Sequence, residues 1–404
     1  MATERAYWLA WSQIKGVGPV TIKHLWEHFG ALALAWQASA AELLPVDGIG
    51  LLSAEKIVAQ RPKLNPEKML AQHEKENLSF WTPADPDYPA LLFAINDPPP
   101  VLYYRGNLRL NDPSNALTVA MVGTRRPSTY GKRWTQRLSA RATRQGAVIV
   151  SGLAAGIDTE AHSSCLQQRG STVAVLGTGV DVVYPHWNQV LYDQIVTTGL
   201  VVSAYPDGTA PDRAHFPQRN RIIAGLSRAV LVMEAPARSG ALITSRLAND
   251  YCREVYALPC GLDNSQGEGC LNLIDQGAQI ILSEQSLMAA LEAMPPVERL
   301  LPGWHEASSF RENNGLDQAS AETTATPILP NPSFGDLPES TAKIPELSPL
   351  LRQVLDAVPG EPITLDQIVQ LAQMDTGNVL GALVQLELLG LVTQLPGGMQ
   401  YRRG

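Results

Sequence analysis

The sequence predicts an α/β protein with a doubly wound, mostly parallel sheet at its centre, a helical domain before it and a winged-helix domain after it. Three observations carry this. Between residues 117 and 290, the runs LTVAMVG, AVIVSG, TVAVLG, LVVSAYP, AVLVMEA, VYALP and QIILS are almost continuously apolar and alternate with helix-length amphipathic segments. Strands that are apolar throughout are buried on both faces, as in a parallel sheet with crossover helices. Residues 1–75 read as short helices with two similar glycine turns, and the last 60 residues as three short helices followed by a Gly-rich β-hairpin. The predicted organisation is a helix-hairpin-helix or SAM-like domain over 1–75, a Rossmann-like core over 76–294, a flexible linker over 295–345 and a winged helix over 346–404.

In the N-terminal segment, Gly16 and Gly18 in IKGVGPVTIKHL and Gly48 and Gly50 in LPVDGIGLLSAEKIV each open a helix. Free amides at a helix N-terminus favour a phosphate, which is how such hairpins hold DNA backbones. The same turns also serve simply to pack helices. With only Lys15, Lys23 and Lys56 nearby, an accessory role is expected. A Pro-rich passage, WTPADPDYPALLFAINDPPPVLYYRGN, leads into the core. The linker is predicted from eight prolines among Ser, Thr, Glu, Asn and Gly in residues 295–345. In the C-terminal domain, the candidate recognition helix Gly377–Leu389 has no Lys or Arg. Winged helices read duplex DNA through that helix or dock proteins, and the protein contact is favoured here.

Composition limits the function. The 404 residues carry a net charge of −8, so a nucleic acid would have to meet a local basic patch. No apolar run approaches a membrane span, and the start MATERAYWLA lacks the basic and apolar regions of a signal peptide, so a cytoplasmic protein without membrane contact is expected. Cys165, Cys252, Cys260 and Cys270 show neither CxxC spacing nor a paired histidine, which argues against a zinc site or disulfide framework. GxxxxGK[ST] and a GxGxxG turn after the first strand are both absent, so neither an ATP site nor a dinucleotide cofactor is expected.

The basic patch is local indeed. From Pro113 to Ile157 there are six arginines, one lysine and no acid. The first core strand ends in MVGTRRPSTYG, at the sheet edge where open α/β folds bind ligands. There Gly123 allows close backbone approach, Thr124 offers a hydroxyl, and Arg125 and Arg126 supply phosphate-matching guanidinium forks. Arg133, Arg137, Arg141 and Arg144 follow at helical spacing as a stripe, most simply a solvated face. In HFPQRNRIIAGLS, with Arg213 just upstream, Arg219 and Arg221 flank Asn220 in the first turns of a helix that Pro217 can open. Cations oppose the dipole there, so a bound anion would account for them, and Phe216 could stack on an unpaired base or simply be buried. Arg238, Ser239 and Gly240 form a third strand-to-helix anion seat. Asp158 and His162 stand one helical turn apart, but no nucleophile accompanies them, and a structural role is expected.

Taken in order, MVGTRRPSTYG, VSGLAAGIDTEAH, TVAVLGTGVDVVYPHWN, FPQRNRIIAGLSRAVLVMEA, RSGALITSRLAND and REVYALP resemble the successive blocks of the DNA-processing protein A (DprA, or Smf) family and span most of 117–282. The resemblance implies single-stranded DNA binding, a homodimer formed through the core, and loading of RecA recombinase onto strands taken up in natural transformation. By motif, the family's GSR element falls on Gly123, Thr124 and Arg125, its FPxRNR element on Phe216, Pro217, Arg219, Asn220 and Arg221, and its SG element on Ser239 and Gly240. Thr124 replaces the usual Ser, Ala204 stands where a Glu is common, and GCLNLI, with Leu271, departs from GTNxLI. The favoured reading is a non-catalytic binding module. Its rivals are a nucleotide-cleaving enzyme, whose PGGxGT turn is replaced here by PCGLDNSQGEG, and a scaffold whose tail recruits a partner.

Overall fold

The computed structural model describes residues 2–77, 79–112 and 117–295 and, between 349 and 403, all but 360–362, 373, 375–378, 380–381, 384–385, 387–390 and 395–399. The expected linker, apart from Pro295, and most of Gly377–Leu389 lie outside the described residues. The chain forms two units, Met1–Ala319 and Ser320–Gly404.

The first unit is built on a nine-stranded sheet: β1 (Phe80–Trp81), β2 (Leu102–Gly106), β3 (Thr118–Gly123), β4 (Val148–Ser151), β5 (Thr172–Leu176), β6 (Leu200–Ser203), β7 (Ala229–Glu234), β8 (Glu254–Ala257) and β9 (Gln279–Ile280). Its order is β1-β2-β6-β5-β4-β3-β7-β8-β9. All seven strands anticipated between 117 and 290 are present and mutually parallel. The chain steps outward from β3 to β6, then returns to the other side of β3 for β7. The crevice of an open α/β sheet therefore falls above the carboxyl ends of β3 and its neighbours. The Pro-rich lead-in also contributes β2, antiparallel to β6, and β1, antiparallel to β2, which the sequence reading missed. Two residues of β1 and a short LYYRG run between prolines give no usable period-two signal.

Apolar alternation fixes the layers. In β3, Ala120 and Val122 join one core cluster while Val119 and Met121 join the other, all at most 4% exposed. The first cluster continues into the helices over residues 4–60, where Trp8 and Trp11 are buried and Trp11 meets Trp36 edge to face at 5.3 Å. The two glycine turns there share one geometry. Gly16 and Gly48 take φ +88° and +81°, which favour glycine, and Gly18 and Gly50 are extended N-caps of the helices Pro19–Phe29 and Leu51–Gln60.

In the second unit, the helices Pro349–Asp356 and Leu365–Ala372 accompany a three-stranded antiparallel sheet of β10 (Ile363–Thr364), β11 (Val392–Gln394) and β12 (Gln400–Arg403), in the order β10-β12-β11. Val354, Ile368, Leu383 and Leu386 are fully buried in its own core.

Candidate nucleic-acid interface

The turn after β3 is anchored from β7. The amide of Thr124 donates to the Glu234 carbonyl (2.6 Å), and the Glu234 carboxylate, 2% exposed, accepts from the amide and hydroxyl of Ser128 at 2.7 Å each and from Asn264 Nδ2 at 3.2 Å. Ser128 Oγ in turn accepts from the amide of Gly131 (3.1 Å) and caps the helix Thr129–Arg144. A buried carboxylate beside a helix N-terminus also complements the positive end of its dipole. This scaffold leaves Arg125 and Arg126 exposed at the rim.

Glycine at 123 has an internal cause. A Cβ there would stand 2.5 Å from Ile157 and 2.8 Å from the Glu234 carbonyl, so the position is closed by the protein's own packing rather than left open to a ligand. Thr124 is likewise turned inward at 9% exposure, its hydroxyl accepting from the amide of Arg126 at 3.2 Å.

Helix His215–Gly225, following β6, brings the second block to the same edge. Phe216, half-buried, lies over Gly177 at the end of β5, where a Cβ would be 3.0 Å from its ring. The Arg125 guanidinium stands 5.5 Å from its ring centroid, and the Tyr184 ring centroid also lies 5.5 Å away, tilted against it. Beside this pair, His215 stacks on Tyr205 at 3.9 Å, and Tyr184 and Trp187 are 41% and 68% exposed. The guanidinium beside Phe216 thus comes from a distant segment, Arg125, and not from the neighbouring Arg219 and Arg221 that the sequence reading set beside it. Tyr184, Trp187, Tyr205 and His215 were not singled out from sequence, although the first two lie within YPHWN.

The remaining arginines of this block separate by depth. Arg219, expected as a phosphate contact, is only 5% exposed, and one terminal nitrogen donates to the carbonyls of both Gly152 and Val175 beneath the edge. Desolvation brings its pKa down to about 10, leaving it cationic at neutral pH. Asn220 is also buried and donates to the Gly240 carbonyl at 3.2 Å, tying this helix to the third turn. Arg221 is spent on Asp97, donating to its backbone carbonyl and pairing with its carboxylate at 3.5 Å. Arg213 and Arg238 are exposed, as is Gly240. Ser239 Oγ accepts from the amide of Ala241 at 3.3 Å, at the start of helix Ala241–Asp250.

Other expectations also find their places. Asp158 is buried and accepts from the amides of Gly152 (3.1 Å) and Ala154 (3.3 Å); burial raises its pKa against the opposing pull of Arg219. His162 is fully enclosed, bonded through Nδ1 to the Thr172 hydroxyl at 2.7 Å, and burial takes it down to about 3. Both are internal, as the structural reading held. In the arginine stripe, Arg137 pairs with Glu284 at 2.5 Å and Arg133 lies 5.9 Å from the Tyr130 ring centroid. Among the described residues, no group of His, Cys, Asp or Glu side chains could hold a metal ion, and no helix is long and apolar enough to cross a membrane.

The fold and this edge define a Rossmann-like α/β core carrying arginines and aromatics at the carboxyl edge of its sheet, in a chain with a winged-helix unit. The model of the DNA recombination-mediator protein A family matches residues 79–292, and that of the DprA winged helix domain matches residues 338–398. The chain is 49% identical over 407 residues to Protein Smf of Synechocystis sp., covering 99% of both chains, and 32% identical over 361 residues to Protein Smf of Escherichia coli, covering 89% of this chain and 86% of that one. The X-ray structure of DNA processing protein A from Streptococcus pneumoniae is similar with a TM-score of 0.60 at 34% identity, covering 72% of this chain and 98% of that one. The chain belongs to the DNA recombination-mediator protein A family.

Proposed function

We propose that the carboxyl edge of the core sheet binds single-stranded DNA and that the protein, acting in the cytoplasm as a homodimer through its core, helps load RecA recombinase onto incoming strands in natural transformation. The chemistry is binding alone, without catalysis or a cofactor. The observation that carries this reading is the pairing of Arg125 with Phe216. An exposed guanidinium beside an aromatic ring, with the exposed Tyr184 ring 5.5 Å from that ring, offers a phosphate contact and a stacking surface within one nucleotide's reach. Arg126, Arg213 and Arg238 add positive charge around it, and Gly123, Thr124, Asn220, Ser239 and Gly240 shape the turns that present it.

Unpaired bases expose the faces that such aromatics need, whereas a duplex hides them. Single strands should therefore bind more tightly than duplex, with an affinity that falls as salt rises. Fluorescence anisotropy of a labelled oligonucleotide, single-stranded and then duplex, across a salt series, tests this with wild type and the double variant Arg125→Ala, Arg126→Ala. Equal binding by both proteins would remove the edge as the site. Release of free base from a nucleoside monophosphate would replace the binding reading with an enzymatic one. RecA filament formation on strands coated with single-strand-binding protein, accelerated by the wild type only, tests the loading step.

A further inference from the structure

A cleft of about 720 Å³ opens beside this edge, between the N-terminal helices and the core. That volume is inside the range of roughly 300–1,000 Å³ typical of small-molecule sites. Helix Pro66–Glu76 forms one wall with Met69, Gln72 and His73, and Tyr103 at the start of β2 forms the back, its hydroxyl 2.9 Å from His73 Nε2. Tyr205 and Arg219 line the side facing the edge. Tyr205 is also the ring stacked on His215, the residue before Phe216, so one wall of the cleft is built from the segment that carries the rim aromatic.

Arg219 is the telling residue. Its observed hydrogen bonds all use one terminal nitrogen, and Nε is buried with no partner among the described residues. Leaving a buried charged donor unfilled is costly, and a fork of five N–H groups with donors to spare suits a phosphate oxygen or a base carbonyl. Gln72 and Gln218 offer further amide groups for a base edge.

We infer that the cleft between the N-terminal helices and the core takes one unstacked nucleotide, lodged between Tyr103 and Tyr205 and held by Arg219. This rests on the proposed strand binding at the edge, of which the cleft is an extension. The N-terminal helices thereby roof part of the strand's path instead of contacting it through their glycine turns. The same chemistry would admit a nucleotide of a bound strand or a free mononucleotide.

The test uses the full-length protein and oligothymidylates carrying a single 4-thiothymidine at successive positions, irradiated and mapped by mass spectrometry. One position is expected to crosslink to Met69, His73 or Tyr103. Crosslinks confined to Phe216, Tyr184 and their neighbours would overturn the inference while leaving the edge intact. Gln72→Trp, at an exposed position on the cleft wall, is expected to weaken strand binding about fivefold or more, as for the loss of one stacked base, and to abolish the cleft crosslink. An unchanged affinity and crosslink in that variant would also overturn it. If Arg125→Ala, Arg126→Ala retains wild-type affinity while the cleft crosslink persists, the edge reading fails and the cleft stands. Deoxythymidine 5′-monophosphate that suppresses the crosslink would show that the cleft also accepts the free form. Binding of the monophosphate, blocked by Gln72→Trp, with no strand crosslink would assign the cleft to free nucleotides.

Discussion

Replacing Gly131 by alanine inverts a familiar rule. A glycine in a helix costs up to roughly 1 kcal/mol relative to alanine, less in the first turn where Gly131 stands, so the substitution ordinarily stabilises. In this protein the added Cβ would stand 2.4 Å from Oε2 of Glu234 and 2.9 Å from its Cδ. A carboxylate at the end of a side chain can usually swing aside, but this one accepts from the amide and hydroxyl of Ser128 and from Asn264. Moving it breaks at least two charge-assisted hydrogen bonds, each worth about 1.5–3 kcal/mol. Less the gain in helix propensity, Gly131→Ala should destabilise the core by about 2–5 kcal/mol, read as a lower midpoint of the core transition in urea. It should also weaken strand binding, because Ser128 anchors the turn that presents Arg125. In a Glu234→Ala background the contacts with the carboxylate go and only the Cβ of residue 234, at 3.3 Å, remains, so the same substitution should cost far less than in the wild type, a coupling that a double-mutant cycle reads directly. A neutral or stabilising effect in the wild-type background would refute the reasoning.

Three further outcomes are expected. Arg125→Ala with Arg126→Ala should flatten the plot of log affinity against log salt by about 0.7 for each phosphate left without its arginine on a single strand, and an unchanged slope would show that neither arginine meets a phosphate. Phe216→Ala should cost about 1–3 kcal/mol of strand affinity while Phe216→Trp retains it, since stacking needs a π-face rather than a particular ring; equal losses in both variants, measured by anisotropy, would point to a packing role. The unfolded chain takes up a proton on His162 near pH 6.5, which the fold refuses until about pH 3, so its burial contributes stability that is present above pH 6.5 and lost as pH falls through that window. The slope is about 1.4 kcal/mol per pH unit, and His162→Gln should flatten urea-unfolding stability between pH 6.5 and 5 by roughly that amount.

The parts of the fold legible in the sequence are those with long-range redundancy. Seven strands were readable because burial on both faces makes each an apolar run, and the carboxyl edge of the sheet followed because such strands end where helices begin. β1 and β2 were not, since an antiparallel edge of two and five residues among prolines carries too few positions to show a period. The arginines were visible as charges, but sequence has no depth coordinate. It could not show that Arg125 stays at the surface while Arg219 sinks between two carbonyls, nor that the glycine at 123 answers to Ile157 instead of a ligand. The Glu234 anchor was invisible for a related reason: an acid closing an apolar strand looks like a strand end until Ser128 is seen to reach it.

That separation by depth governs how losses of binding are interpreted. Arg219→Ala would orphan the carbonyls of Gly152 and Val175, at about 1–3 kcal/mol each, and remove the cation that moderates the buried Asp158. Weaker strand binding in that variant would mix a displaced edge with the removal of a direct strand partner. Arg125→Ala removes a rim side chain and leaves the scaffold intact, so its effect measures the arginine's own grip on the strand. The cleft reading turns the same asymmetry to use. If the spare donors of Arg219 meet a nucleotide, strand binding should raise the unfolding midpoint of the wild type more than that of Gln72→Trp at equal free strand concentration, because an occupied cleft tightens binding and the stabilisation follows the ratio of strand concentration to Kd.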